Sequence, residues 1–206
     1  MELPLTDSFQ PVWKQKLAVP RAQYMDWYLT VALYEFFCEK DVLDIGCFTG
    51  ANTVYLASIA KSKNRMVYSI DDFSRAKSAG ISTDRAKGLF YAHLDLLDTR
   101  EHCQLLVKDF MDITDEEVAN VDFILHDIPS SDTEQVLSLL KKIKSKTIFI
   151  LDDWKSKYRV QSKFDIDVLL KHGLKEFYRT KNRFYGAVKC TKKEFDNIKY
   201  KVFHIT

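Results

Sequence analysis

The sequence predicts an α/β protein built on an open, mostly parallel sheet, and three observations carry that expectation. Short runs rich in Val, Ile, Leu and Phe recur along the chain and are apolar on both faces, as strands covered by helices on both sides must be. Stretches with apolar residues at helical spacing lie between them. The two kinds of segment alternate from residue 41 to residue 151, the pattern of right-handed strand–helix–strand crossovers.

Residues 1–21 read as an N-terminal arm, broken by Pro4, Pro11 and Pro20 and anchored by Trp13, and 22–206 as one domain. From Ala22 to Cys38, the residues Met25, Tyr28, Leu29, Ala32, Leu33 and Phe36 mark an amphipathic helix. The first strand, Asp41–Ile45, stops at Gly46, and a helix follows over Asn52–Ala60. Further strands are predicted at Met66–Ile70, Cys103–Val107, Val121–Leu125 and Thr147–Leu151, with helices including Ala86–Leu97 and Thr133–Lys144 between them. After the fifth strand the order changes: a helix over Phe164–His172 is closed by Gly173. Two strands, Lys175–Thr180 and Phe184–Cys190, then form a hairpin around Lys181-Asn182, and the last ten residues are expected to add an edge strand.

A chain of 206 residues with 46% hydrophobic and 29% charged content can bury a core of its own, which excludes disordered and collagen-like classes. No run approaches the roughly 18 apolar residues of a membrane helix and no leader pattern opens the chain, so a cytoplasmic protein without a membrane partner is expected. Cys38, Cys47, Cys103 and Cys190 are scattered without ligand spacing, against zinc ribbons and disulfide scaffolds. The net charge of +2 hides an asymmetry: residues 1–140 carry 13 basic against 22 acidic side chains, and residues 141–206 carry 18 against 7. That basic third could attract an anionic partner. With 23 lysines to 8 arginines in the whole chain, that third reads first as a solvated lysine surface, and nucleic acid is not favoured.

In open α/β sheets, ligands bind beyond the carboxyl ends of the strands, where the strand order reverses. Here each of the first five strands ends in or beside a carboxylate: Asp44, Asp71-Asp72, Asp109, Asp127 and Asp152-Asp153. Gly46 and Gly50 sit four apart in the first strand-to-helix turn. That spacing matches neither a dinucleotide fingerprint nor a phosphate loop, so a nucleoside without a pyrophosphate fits better. Asp71, 21 residues past Gly50, stands where a carboxylate can accept ribose hydroxyls, and Asp72 could exchange roles with it. His126 is a candidate base because an imidazole titrates near ~6.5. Trp27, Trp154 and Tyr158 could line an aromatic acceptor pocket.

Together, Asp44-x-Gly46-x-x-x-Gly50, the acid after the second strand, Lys108-Asp109-Phe110, Asp127 and the hairpin ending Tyr185-Gly186-Ala187-Val188 resemble the class I S-adenosylmethionine-dependent methyltransferases. The resemblance implies a Rossmann-like seven-stranded sheet in the order 3-2-1-4-5-7-6, with strand 7 antiparallel and helices on both faces. It implies that S-adenosylmethionine is the cofactor, with Gly46, Cys47, Phe48, Thr49 and Gly50 along its methionine part. Asp44 would support that loop, Asp71 or Asp72 would hold the ribose, and Asp109 with Phe110 would flank the adenine. Within the class, Asp127 and the Asp152-Asp153 pair look like the acids of small-molecule O-methyltransferases that hold a divalent cation such as Mg²⁺. The Asp-Gly-x-His often found after strand 4 is replaced by Asp127-Ile128-Pro129-Ser130. The resulting expectation is methyl transfer to a hydroxyl of a small, in some cases anionic, molecule, with His126, Asp127 and Asp153 as catalytic candidates and a homodimer allowed. Its rivals are a nucleic-acid or nucleotide methyltransferase and a catalytically silent protein of the same fold.

Overall fold

The computed structural model describes residues 21–155 and 164–205. Among these, the elements run α1 (Arg21–Phe37), β1 (Asp41–Ile45), α2 (Thr53–Ser62), β2 (Val67–Ile70), α3 (Thr83–Leu96), β3 (Cys103–Leu106), α4 (Asp115–Ala119) and β4 (Val121–His126). They continue as α5 (Thr133–Lys142), β5 (Thr147–Leu151), α6 (Ile166–Lys171), β6 (Lys175–Arg179), β7 (Phe184–Val188) and α7 (Lys192–Ile205). The N-terminal arm expected before Arg21, and Tyr158 of the aromatic pocket, fall outside the described residues.

The seven strands form one sheet in the order β3-β2-β1-β4-β5-β7-β6, parallel from β3 to β5 and antiparallel at β5–β7 and β7–β6. The order reverses between β1 and β4. Strands β1, β4, β5 and β7 are buried along their whole length, which is why they read as continuous apolar runs, whereas the edge strands β3 and β6 are partly exposed. One core layer joins α1, α2 and α7 to the sheet through residues such as Leu33, Leu56, Phe123 and Ile198. The opposite layer holds Leu43, Ile124, Val136, Phe149 and Leu169. No helix among the described residues is long and apolar enough to cross a membrane.

The last ten residues correct the expectation of an edge strand: they belong to α7. Thr191 and Glu194 make a capping box, the Thr191 Oγ1 accepting from the Glu194 N–H (3.2 Å) and Glu194 Oε2 from the Thr191 N–H (2.8 Å). Ile198 and Val202, four apart, are 1% exposed, while Tyr200 between them is 65% exposed. Period-two alternation would put all three on one face; the helical period separates them.

Candidate active site

The carboxyl ends of the strands are tied together edge to edge by the backbone. The Asp71 N–H donates to Leu106 O (3.3 Å), Gly46 N–H to Ile70 O (2.8 Å), Asp127 N–H to Ile45 O (2.8 Å) and Asp152 N–H to His126 O (3.0 Å). Each residue just past a strand thus borrows the last carbonyl of its neighbour, and five strand ends share one rim. Beyond this rim opens a cavity of about 600 Å³, within the usual range for small-molecule sites. Gly46, Phe48, Asp71, Asp72, Asp109, Phe110, Asp127 and Asp153 line it.

Gly46 has φ +85°, and a Cβ there would lie 2.2 Å from the Asp127 carbonyl oxygen. The turn after β1 and the end of β4 meet backbone to backbone, so no side chain fits between them. A Cβ on Gly50 would lie 2.7 Å from Phe90 Cδ2, which makes this glycine a packing residue against α3 and not part of the cavity wall. Asp71 organises two loops at once: Oδ2 accepts from the Phe48 N–H (2.8 Å) and Oδ1 from the Phe73 N–H (2.6 Å). Both phenylalanines have positive φ, +45° and +56°, a rare conformation for bulky residues that persists only where the surroundings hold it. Burial pushes the Asp71 carboxyl up, against the two backbone hydrogen bonds. Asp72 is exposed and accepts from the Ser74 N–H (2.8 Å). Asp109 caps the turn Phe110–Asp112, accepting from the Met111 N–H (2.9 Å).

Asp44 lies behind the rim, 1% exposed, with Oδ2 accepting from the Thr53 hydroxyl (2.5 Å). Burial pushes its carboxyl up to about 6. Cys47 is buried and Thr49 accepts at its carbonyl from His93 Nδ1 (2.7 Å); neither lines the cavity. His126, expected as a base, is fully buried in the apolar layer below the rim, edge-on to Phe110 (5.2 Å between centroids) and near Phe149 (6.2 Å). As the last residue of β4 its side chain alternates to that layer, while the next residue, Asp127, reaches the cavity.

The expected metal set is not assembled. Among the described residues no group of three or more His, Cys, Asp or Glu side chains converges as a metal site requires. Asp152 is engaged on both oxygens: Oδ1 accepts from the Asp153 N–H (2.9 Å) and Oδ2 from Arg183 Nη2 (2.7 Å). Asp153 is exposed, with φ +51°. Asp127 is pushed up to about 8, first by burial and then by the Asp152 carboxylate, against the pull of Arg183. Arg183 escaped notice in the sequence, as did Ser74, Arg75, Ser78, Ser131 and Gln135 on the cavity wall, which Lys108 also lines. Lys108 there is ion-paired with Glu117 Oε2 at 2.5 Å.

The sequence of residues 43–154 matches the family described as a methyltransferase domain. The chain belongs to that family. Its fold is similar to that of the O-methyltransferase TomG from Streptomyces achromogenes, solved with S-adenosylmethionine (TM-score 0.60, 15% identity, 93% of this chain and 91% of that one). An O-methyltransferase from Bacillus cereus solved with S-adenosylhomocysteine (TM-score 0.59, 15% identity, 91% and 93%) and an S-adenosylmethionine-dependent O-methyltransferase from Thermotoga maritima (TM-score 0.61, 13% identity, 91% and 73%) are also similar. At such identities the likeness is one of fold. No curated protein matches the sequence. The seven-stranded order and the antiparallel β7 agree with the expectation for class I methyltransferases.

Proposed function

We propose that this methyltransferase-family chain binds S-adenosylmethionine in the rim cavity and transfers its methyl group to a hydroxyl of a small molecule. The observation that carries the reading is the backbone cradle at Gly46, closed against the end of β4 and flanked by the Asp71 carboxylate. A cavity of this size with one acid at the end of β2 and an apolar wall at Phe110 suits a nucleoside. Asp71 would accept the ribose hydroxyls, Asp109 and Phe110 would flank the adenine, and the turn after β1 would pass along the methionine part. When bound, the cofactor supplies an electrophilic methyl group on a sulfonium.

The chain's own residues supply position and proton handling. Asp127 lines the cavity with a carboxyl shifted toward neutral pH, where a general base is most effective, so we assign it the role of taking the acceptor's proton. His126 is fully buried and does not line the cavity, whereas Asp153 does and there would contact an entering acceptor. The rim bonds from Gly46 and Asp127 hold the alignment on which in-line displacement depends.

Calorimetry with S-adenosylhomocysteine and with NAD tests the reading. S-adenosylhomocysteine is expected to bind one per chain and NAD not at all. Asp71→Ala should lose on the order of 1.5–3 kcal/mol of that affinity, the worth of charge-assisted hydrogen bonds. Absence of binding at millimolar S-adenosylhomocysteine, or equal binding of NAD, would overturn it.

A further inference from the structure

Asp127, Asp152 and Asp153 follow the ends of β4 and β5, and Asp127 with Asp152 stand close enough to repel one another, so these acids need positive charge nearby to stay ionised. The fold supplies it from an unexpected direction. Because β7 runs antiparallel beside β5, Phe184 pairs with Leu151, and the residue before one strand adjoins the residue after the other. Arg183 therefore meets Asp152. Its guanidinium is 3% exposed, donates from Nη2 to Asp152 Oδ2 (2.7 Å) and from Nη1 to Thr30 Oγ1 (2.9 Å), and lies 3.7 Å from the centroid of the Trp27 ring.

Every neighbour fixes that position. The Thr30 hydroxyl donates to the Asp26 carbonyl (2.7 Å), which also accepts from the Tyr185 hydroxyl (3.0 Å), and Trp27 stacks on Tyr55 (6.1 Å between centroids). An arginine buried under an aromatic face, with a bidentate reach to an acid and a hydroxyl, is preorganised in a way that no surface lysine could be. It also cannot swing aside to admit an ion without leaving its charge buried and unpaired.

We propose that Arg183 is the built-in cation of this site: its guanidinium occupies the electrostatic place of a divalent metal beside Asp127 and Asp152, and holds Asp152 in position. It rests on the reading of the cavity as the methyl-transfer site and deepens it to a metal-independent form. Arg183 is a positioning residue, acting through Asp152 and through its field on Asp127. The same field lowers the Asp127 carboxyl against burial.

The test titrates Mn²⁺, followed by electron paramagnetic resonance, into the wild-type chain, Arg183→Met, Asp152→Asn and Arg183→Met/Asp152→Asn. S-adenosylhomocysteine binding is measured in parallel. The wild-type chain is expected to take up no Mn²⁺ at millimolar concentration. Arg183→Met should gain one ion per chain with affinity at least about tenfold above any residual binding, and adding Asp152→Asn should abolish it. One Mn²⁺ bound by the wild-type chain and lost in Asp152→Asn would overturn the proposal. So would a folded Arg183→Met chain that takes up none, since the carboxylates would then need no cation. If Arg183→Met fails to fold, the wild-type and Asp152→Asn titrations still decide. Failure of S-adenosylhomocysteine to bind would instead remove the methyltransferase reading and leave the Mn²⁺ result standing on its own.

Discussion

Gly46→Ala tests whether the rim is as tightly closed as its backbone bonds imply, and Gly80→Ala provides the internal control. Both glycines have positive φ, +85° and +74°, but a Cβ on Gly80 meets nothing within 4 Å. Gly80→Ala should therefore cost only the left-handed backbone penalty, roughly 1–2 kcal/mol. A Cβ on Gly46 lies 2.2 Å from the Asp127 oxygen, 2.7 Å from its carbonyl carbon and 3.1 Å from Ile128 Cγ1. Two of those atoms are backbone, so relief requires the end of β4 to move by roughly an ångström, an overpacking strain of about 1–3 kcal/mol. The 2.8 Å bond from the Asp127 N–H to Ile45 O would stretch with it, for about 1 kcal/mol more. The expected total for Gly46→Ala is about 3–6 kcal/mol, read by urea unfolding at neutral pH. Affinity for S-adenosylhomocysteine should also fall in Gly46→Ala and not in Gly80→Ala. Equal destabilisation by the two substitutions would refute the close approach of β1 and β4 and, with it, the cradle on which the functional proposal rests.

Two further predictions address charge and the C-terminal helix. Asp44 and Asp127 titrate in the folded chain at about 6 and about 8, above the usual 3.8, so between about pH 4 and pH 8 the folded state holds more protons than the unfolded. Stability of the ligand-free chain should accordingly fall as pH rises through that window, Asp44 alone accounting for up to about 3 kcal/mol; urea midpoints that rise from pH 5 to pH 8.5 would contradict it, and Asp127→Asn should flatten the slope. In α7, Ile198→Ala should cost about 2–4 kcal/mol because Ile198 is 1% exposed, whereas Tyr200→Ala, at 65% exposure, should change stability by less than about 0.5 kcal/mol. Comparable losses at both positions would favour a strand at this end of the chain.

What the sequence disclosed and what it hid follow from the range of the interactions involved. Strands β1 and β5 occupy the predicted residues, Asp41–Ile45 and Thr147–Leu151, because a strand buried on both faces must be apolar throughout and a local run shows it. Asp71 at the end of β2 was legible by its spacing from the glycine turn, though its hold on Phe48 and Phe73 was not, since those hydrogen bonds depend on how two loops fold over it. The last ten residues, expected as an edge strand, belong to α7; the Thr191-x-x-Glu194 capping box in the sequence is the local signal that decides for a helix. The charge balance at the metal candidates lay at longer range. The three aspartates lie close enough in sequence to be counted together, and counted alone they look uncompensated. Arg183 stands 31 residues beyond Asp152, in the turn of a hairpin. Only the β5–β7 pairing brings it to the carboxylates, so the charge balance of the site is a property of strand order.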